Sequence, residues 1–124
     1  MKNWLKICIM APISLQINGI TLLIINMDKS TTISAAVEFY DEQLQAYKKS
    51  YKREEYHLTP LNGDVQSQTV LLNNKQLTVG RSGDIPALEP NFVLATEPIQ
   101  VEPYSIVFVR MPYVNIPACR WKHE

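Results

Sequence analysis

Two apolar runs near opposite ends of the chain constrain the fold most strongly. The first, residues 19–28 (GITLLIINMD), is rich in β-branched residues and too short to cross a membrane. It predicts a strand that is buried on both faces. The second, residues 104–111 (YSIVFVRM), is also apolar and has a proline on each side. Because a central strand needs neighbours, we expect these strands to pair and the intervening chain to wrap around them.

The segments between these two strands are short and are separated by turn-forming residues. Residues 33–39 alternate apolar and polar side chains, which predicts a half-exposed strand in a hairpin with the first strand. Asn62-Gly63-Asp64 and Asn73-Asn74-Lys75 each favour a tight turn. Further short strands are predicted at residues 56–59, 66–72, 76–79 and 113–119. Residues 92–94 are a short apolar piece, and residues 98–101 lead into the second apolar run. About eight to ten short strands without a long helix predict an all-β fold, an antiparallel β-sandwich.

The chain length allows one domain. A chain of 124 residues suffices for one core. We place the domain at residues 19–119, between a divergent N-terminal segment (1–18) and a short tail (120–124). Two interpretations of residues 1–18 stay open. A charged start ahead of a modest apolar stretch is typical of a signal peptide. The interruption of that stretch at Pro12 favours an edge strand instead.

The most charged part of the chain holds a basic cluster interleaved with aromatic residues. Such clusters are typical of sites for RNA or acidic polysaccharide. Nearby acidic residues balance most of the charge, which favours a solvated connection instead. Over the whole chain, 12 basic residues balance 12 acidic ones, so no attraction to nucleic acid is predicted. The candidate contacts for a polysaccharide are Lys48, Lys49, Lys52, Arg53, Tyr47 and Tyr51.

The sequence contains no complete catalytic site. A retaining glycosidase needs two carboxyl groups about 5–5.5 Å apart. The glutamates of this chain, among them Glu54 and Glu55, are interpreted as surface charge. His57 has no nucleophile near it in the sequence and is interpreted as a surface or hydrogen-bonded core residue. No phosphate-binding motif or zinc-binding cysteine pattern occurs, so we predict no cofactor and no metal.

Several blocks of the sequence, taken in order, resemble one known family. They are GITLLIINMDKSTT (19–32), REEYHLTP (53–60), SQTVLLNNKQLTV (67–79), IPALEP (85–90), EPYSIVFVRMP (102–112) and NIPAC (115–119). They are similar to the C-terminal end of plant heparanase-like proteins, which are endo-β-glucuronidases of glycoside hydrolase family 79. Several blocks in the same order are far more specific than any single motif.

The resemblance implies an enzyme of two parts, a TIM barrel with the catalytic glutamates and a β-sandwich packed against its side. This chain resembles the sandwich alone, so no catalytic residue carries over and an isolated chain is expected to be inactive. The implied partner is the barrel of a full-length relative, and the exposed barrel-facing surface predicts self-association. The resemblance also implies an extracellular or lysosomal/vacuolar location, with membrane association as an option.

Three positions compare with the family in detail. Lys29 stands where family members commonly have asparagine, which removes a glycosylation acceptor. Cys119 matches the family's C-terminal cysteine, and Cys8 is the candidate partner, so the resemblance implies a Cys8–Cys119 disulfide. Cys8 lies further from Gly19 than the family pattern places it. Residues 1–18 do not resemble the family, which suggests a truncated or alternatively spliced product.

The sequence leads to two functions of different classes. The first is a non-catalytic β-sandwich that supports a catalytic barrel. The second is a free-standing carbohydrate-binding module for acidic, glucuronide-containing polysaccharides, with the basic cluster as its contact surface. A broad apolar face would favour the first function, and an exposed aromatic platform would favour the second.

Overall fold

Eight β-strands carry the regular structure of the residues described by the computed structural model, which are 19–38, 46 and 49–114. All strand pairs among them are antiparallel, which confirms the predicted all-β class. No helix in this part of the chain is long and apolar enough to cross a membrane. The strands are β1 (Ile20–Asn26), β2 (Ile33–Ala35), β3 (Lys52–Pro60), β4 (Val70–Leu72), β5 (Lys75–Gln76), β6 (Asn91–Leu94), β7 (Ile99–Val101) and β8 (Ser105–Met111).

The strands form a large sheet and a small one. The large sheet has six strands in the order β1-β8-β3-β4-β5, with β6 paired to β3, and the small sheet consists of β2 and β7. β1 and β8 pair along their whole length, from Ile20 opposite Met111 to Asn26 opposite Ser105. The predicted pairing of the two apolar runs is therefore confirmed. β8 is an interior strand, since β3 pairs with its other edge.

The core lies between the two sheets. It joins the inward side chains of β7 to those of β8, and β1 adds partly buried side chains at its margin. Each fully buried Val, Ile or Met contributes about 1.5–3 kcal/mol to folding by removing its side chain from water. The core residues are Ile99, Val101, Val107, Val109, Met111 and Val114. Two sheets packed face to face over one core make the domain sandwich-like.

The run at residues 19–28 forms β1, but the prediction that it is buried on both faces is wrong. β1 pairs with β8 alone among the described strands and lies at the edge of the sheet. Ile20, Leu22 and Ile24 pack against the core, whereas Ile25 is 47% exposed on the opposite face. The reason is that the small sheet covers one face of the large sheet and successive side chains of a strand alternate between faces.

β2 joins the small sheet, so the predicted hairpin of residues 33–39 with the first strand is wrong. Asn26, at the end of β1, directs the chain there because it is 2% exposed and its polar atoms must find partners. Its carboxamide donates to the carbonyls of Thr31, Val101 and Glu102 at 2.7, 3.1 and 3.2 Å. These bonds hold the turn after β1 against the end of β7, and β2 then pairs with β7.

Two predicted turns are confirmed by their backbone angles. Asn62 and Gly63 have φ of 56° and 70° in a short 3-10 turn after β3. Asn73 and Asn74 have φ of 47° and 67° between β4 and β5. Asparagine and glycine adopt this left-handed conformation more readily than other residues, so both turns follow from the local sequence.

Several predictions concern residues outside the described ranges. The N-terminal segment (1–18), the tail (120–124) and most of the strand predicted at 113–119 lie there. Cys8 and Cys119 lie there too, so the disulfide stays a prediction. β3 begins at Lys52, earlier than the predicted strand at 56–59. The additional residues at its start, 52–55, are all charged.

Candidate docking face

One face of the large sheet is not covered by the small sheet, and we call it the outer face. The strand register decides which side chains it carries. Leu23 lies opposite Phe108, which in turn lies opposite Tyr56, so these three strands place apolar rings and chains side by side. Ile25, Ile106 and Leu58 form the next row in the same way, and the face continues across β4 and β6 through Val70, Leu72, Phe92 and Leu94.

Much of this apolar surface is in contact with solvent. Phe92 is 64% exposed, Val70 42%, Leu94 41% and Ile106 36%. Scattered exposed apolar residues are ordinary on protein surfaces, whereas a contiguous patch across several strands marks an interaction site. The outer face is therefore the surface of this domain best suited to contact another protein unit.

An apolar groove crosses the outer face between the sheet and the irregular segment before β6. Its volume is about 420 Å³. The side chains that line it are hydrocarbon apart from the Tyr56 hydroxyl, and they are Tyr56, Leu58, Leu72, Leu77, Leu88 and Phe108. A sugar site needs several converging polar groups to bind hydroxyls, and this groove does not provide them. Its chemistry fits apolar side chains of a protein partner.

Two of the charged side chains that the register places on the outer face, Arg110 and Glu54, compensate each other, whereas Lys52, opposite Leu94, is exposed. Arg110 Nη1 donates to Glu54 Oε2 at 2.8 Å, and the two residues are cross-strand neighbours. Burial raises the pKa of the nearby Tyr56 hydroxyl, the Glu54 charge adds to this, and the Arg110 charge acts in the opposite sense. Tyr56 is therefore neutral at physiological pH. A partner that covers this pair meets no uncompensated charge.

The opposite face of β3 carries a buried network of charged side chains. Arg53 is 1% exposed and Glu55 4% exposed. Arg53 Nε donates to Glu55 Oε2 at 2.5 Å, and His57 Nε2 lies 2.7 Å from the other carboxylate oxygen. Arg53 Nη1 also donates to three backbone carbonyls in and after β6. This network ties β3 to the connection between β6 and β7.

The electrostatics of Glu55 show that the network suits a carboxylate. Burial by itself would raise the pKa of Glu55, but the hydrogen bonds from His57 and Arg53 and their positive charges outweigh it and lower the pKa. Glu55 is thus ionised inside the domain. The interpretation of Arg53 and Glu55 as surface residues is wrong. Glu55 is held by Arg53 and His57, each two residues away on β3, and Arg53 also donates to carbonyls 41 to 44 residues further along the chain. The hydrogen-bonded interpretation of His57 is confirmed.

The adjacent carboxylates of β3 do not form a glycosidase pair. Neighbouring residues on a strand project to opposite faces, so Glu54 lies on the outer face and Glu55 faces inward. Each is also held by a basic partner. Within the described ranges, no group of three or more His, Cys, Asp or Glu side chains could hold a metal ion.

The predicted polysaccharide contacts differ in their exposure to solvent. Lys49, Tyr51 and Lys52 are exposed, whereas Arg53 is inside the domain. The ring of Tyr51 stacks on Tyr113, with centroids 4.6 Å apart and planes at 11°. The other two candidates, at positions 47 and 48, lie outside the described residues. The sequence signal of the network is the presence of charged residues at the alternate positions 53, 55 and 57. It was missed because Arg53 also belongs to the basic cluster.

The fold and the outer face define an antiparallel β-sandwich-like domain with one apolar sheet face that the small sheet does not cover. The chain is homologous to plant heparanase-like proteins. It is 42% identical to heparanase-like protein 3 of Arabidopsis thaliana over 122 residues, which are 84% of this chain and 23% of that protein. It is 38% identical to heparanase-like protein 2 of the same plant over 125 residues, 82% of this chain and 23% of the relative.

A named enzyme is among the relatives. Baicalin-β-D-glucuronidase of Scutellaria baicalensis is 41% identical over 95 residues, which are 77% of this chain and 17% of the enzyme. No family model matches the chain. The chain spans about a quarter of the length of the heparanase-like relatives, and the part matched is their C-terminal region. The predicted resemblance to this region is confirmed.

Proposed function

We propose that this chain is the accessory β-sandwich of a heparanase-like glycoside hydrolase and that its outer face packs against a catalytic barrel. The observation that carries the proposal is the apolar outer face, which the small sheet does not cover and which exposes Phe92, Leu94 and Ile106. The relatives supply the second unit, because three quarters of their length has no counterpart in this chain. The role of the domain is then to support the barrel rather than to perform chemistry.

The composition of the outer face supports a permanent contact. Obligate interfaces resemble a domain core that has been divided, with apolar centres and few unpaired charges. Phe92, Leu94 and Ile106 supply apolar anchors that are more than a third exposed. The charges of Glu54 and Arg110 already satisfy each other, so covering them does not leave a buried charge without a partner.

The alternative function, a free-standing module for acidic polysaccharides, rests on the basic residues near the start of β3. Lys49 and Lys52 are exposed and available for such contacts. Arg53 is committed to the interior, and the Tyr51 ring is committed to its stack on Tyr113. The described part of the surface thus favours the accessory role over the binding module.

Two further expectations accompany the accessory role. The isolated chain should not hydrolyse glucuronides, since Glu54 and Glu55 lie on opposite faces of one strand and each is paired. By resemblance to secreted and vacuolar glycosidases, we place the chain in an extracellular or vacuolar compartment. Release of glucuronic acid from a synthetic glucuronide by the purified chain would contradict the first expectation.

The docking proposal is tested by reconstitution. The partner is Arabidopsis heparanase-like protein 3 truncated before its region of similarity, co-expressed with residues 1–124. We expect the two to co-purify and Leu94→Asp to abolish the association. Ile33→Asp is the matched control, since Ile33 and Leu94 are both 41% exposed but Ile33 belongs to the small sheet.

The controls separate docking from folding and from sugar binding. Both variants should give the circular dichroism spectrum of the unmodified chain. Failure of the unmodified chain to bind the barrel, with binding to a heparin column that Lys52→Ala weakens, would refute the accessory role and favour the polysaccharide module. Equal loss of association in both variants would also contradict docking through the outer face.

A further inference from the structure

Asparagine side chains at left-handed backbone positions differ sharply in how they are held. Asn73 donates from Nδ2 to the carbonyls of Glu55 and Glu89 and accepts a bond from the His57 N–H. Asn62 is exposed, and its carboxamide has no hydrogen-bond partner within the described part of the chain. Asn62 is therefore free to change conformation, whereas Asn73 is not.

Gly63 follows Asn62 and lacks a side chain that would shield the Asn62 carboxamide from the next backbone nitrogen. Gly63 has no Cβ, so its backbone nitrogen is open to the neighbouring carboxamide. A Cβ built at Gly63 would meet nothing within 4 Å. The 3-10 turn that holds both residues spans only Leu61–Gly63, and its preceding residue provides no side-chain cap. Short exposed turns of this kind open at little free-energy cost.

The second Asn-Gly pair of the sequence, residues 18–19, contrasts with this turn. A Cβ built at Gly19 would lie 3.0 Å from the Pro112 Cα and 3.2 Å from the Met111 carbonyl oxygen. The backbone at Gly19 is thus packed against the chain that follows β8. The sequence alone makes the two pairs equivalent, and the structure distinguishes them by the space around each glycine.

The geometry points to Asn62 as a site of spontaneous deamidation. The backbone nitrogen of Gly63 gives its proton to solvent base and bonds to the Asn62 side-chain carbonyl carbon. The carbon–nitrogen bond of the carboxamide breaks, and its nitrogen takes a proton and leaves as ammonia. The resulting cyclic imide takes up one water molecule at either carbonyl carbon, which yields aspartate or isoaspartate. Water is the only co-reactant, and no atom is oxidised or reduced.

The modification changes the charge and the backbone at one end of the outer face. A carboxylate forms two residues before Asp64, and the isoaspartate product adds a methylene to the main chain of the turn. The turn leads into Val65, which lines a cavity of about 350 Å³ together with Ile25 and Ile106 of the outer face. Deamidation therefore alters the margin of the surface proposed to dock a barrel.

The test compares the asparagines within one sample. The full chain is incubated at mildly alkaline pH, in native buffer and in urea, and its peptides are quantified by mass spectrometry. In native buffer we expect the replacement of NH by O at Asn62, with little at Asn18 and none at Asn73 or Asn74. In urea, where folding no longer protects Gly19, Asn18 should react as fast as Asn62.

Independent readouts identify the product and the chemistry. After incubation in native buffer, an isoaspartyl methyltransferase should label the unmodified chain and should label Asn62→Gln much less, because glutamine forms the cyclic imide far more slowly. Equal native rates at Asn18 and Asn62 would refute the role of the structure in selecting the site. A native rate at Asn62 as slow as that at Asn73 would refute the site itself.

Discussion

Replacement of Arg53 by methionine tests the buried network of β3 most directly. Methionine keeps most of the length and apolar bulk of the side chain but removes its charge and donors. The carboxylate of Glu55, 4% exposed, then loses the guanidinium that holds it at 2.5 Å. The carbonyls of Leu94, Ala95 and Glu97 lose a donor as well.

The magnitude follows from what is left behind. Removal of one partner from a buried ion pair costs about 3–5 kcal/mol, because the other charge stays in the interior without compensation. His57 still contacts Glu55 and limits the loss, so we expect about 3 kcal/mol. The total stability of a domain of this size is about 5–15 kcal/mol, and the variant should therefore be severely destabilised.

Urea unfolding monitored by circular dichroism measures the effect. The free energy of unfolding should fall while the dependence on urea concentration stays unchanged, because the surface exposed on unfolding is the same. Lys52→Met is the control, since Lys52 is exposed and its replacement should change stability by less than about 0.5 kcal/mol. Equal stability of the Arg53→Met and Lys52→Met proteins would refute the role assigned to the network.

Three further predictions follow from the same structure. The folded pKa of Glu55 lies below its usual value of 4.5, so its stabilising contribution is present above pH 4.5 and is lost as the pH falls through the folded pKa. Glu55→Gln should therefore flatten the acid limb of a plot of melting temperature against pH. An unchanged acid limb would contradict this prediction. Asn73→Ala should cost about 3 kcal/mol in urea unfolding, about 1 for each hydrogen bond lost, relative to Asn74→Ala, which shares the positive φ; equal losses would exclude that role. The isolated chain should self-associate with rising concentration in sedimentation velocity, and Leu94→Asp but not Ile33→Asp should reduce this; a monomer at every concentration would exclude it.

Local sequence determined the features that depend on neighbouring residues. Asn62-Gly63 and Asn73-Asn74 form turns because asparagine and glycine accept positive φ wherever they occur. The apolar runs at the two ends become the paired strands β1 and β8 because each is long enough and β-branched enough to bury side chains. The ordered blocks of residues also sufficed to predict the similarity to heparanase-like proteins, since homology is carried by sequence.

Tertiary structure alone decided which face of each strand is covered. Alternation along a strand shows that side chains point both ways, but it does not show where a second sheet lies. β1 is therefore exposed on the face that carries Ile25, although five of its seven residues are apolar. Arg53 can be buried because backbone carbonyl oxygens accept hydrogen bonds from its guanidinium. These carbonyls lie 41 to 44 residues further along the chain. Burial of a charge depends on such distant partners, and no local pattern encodes their position.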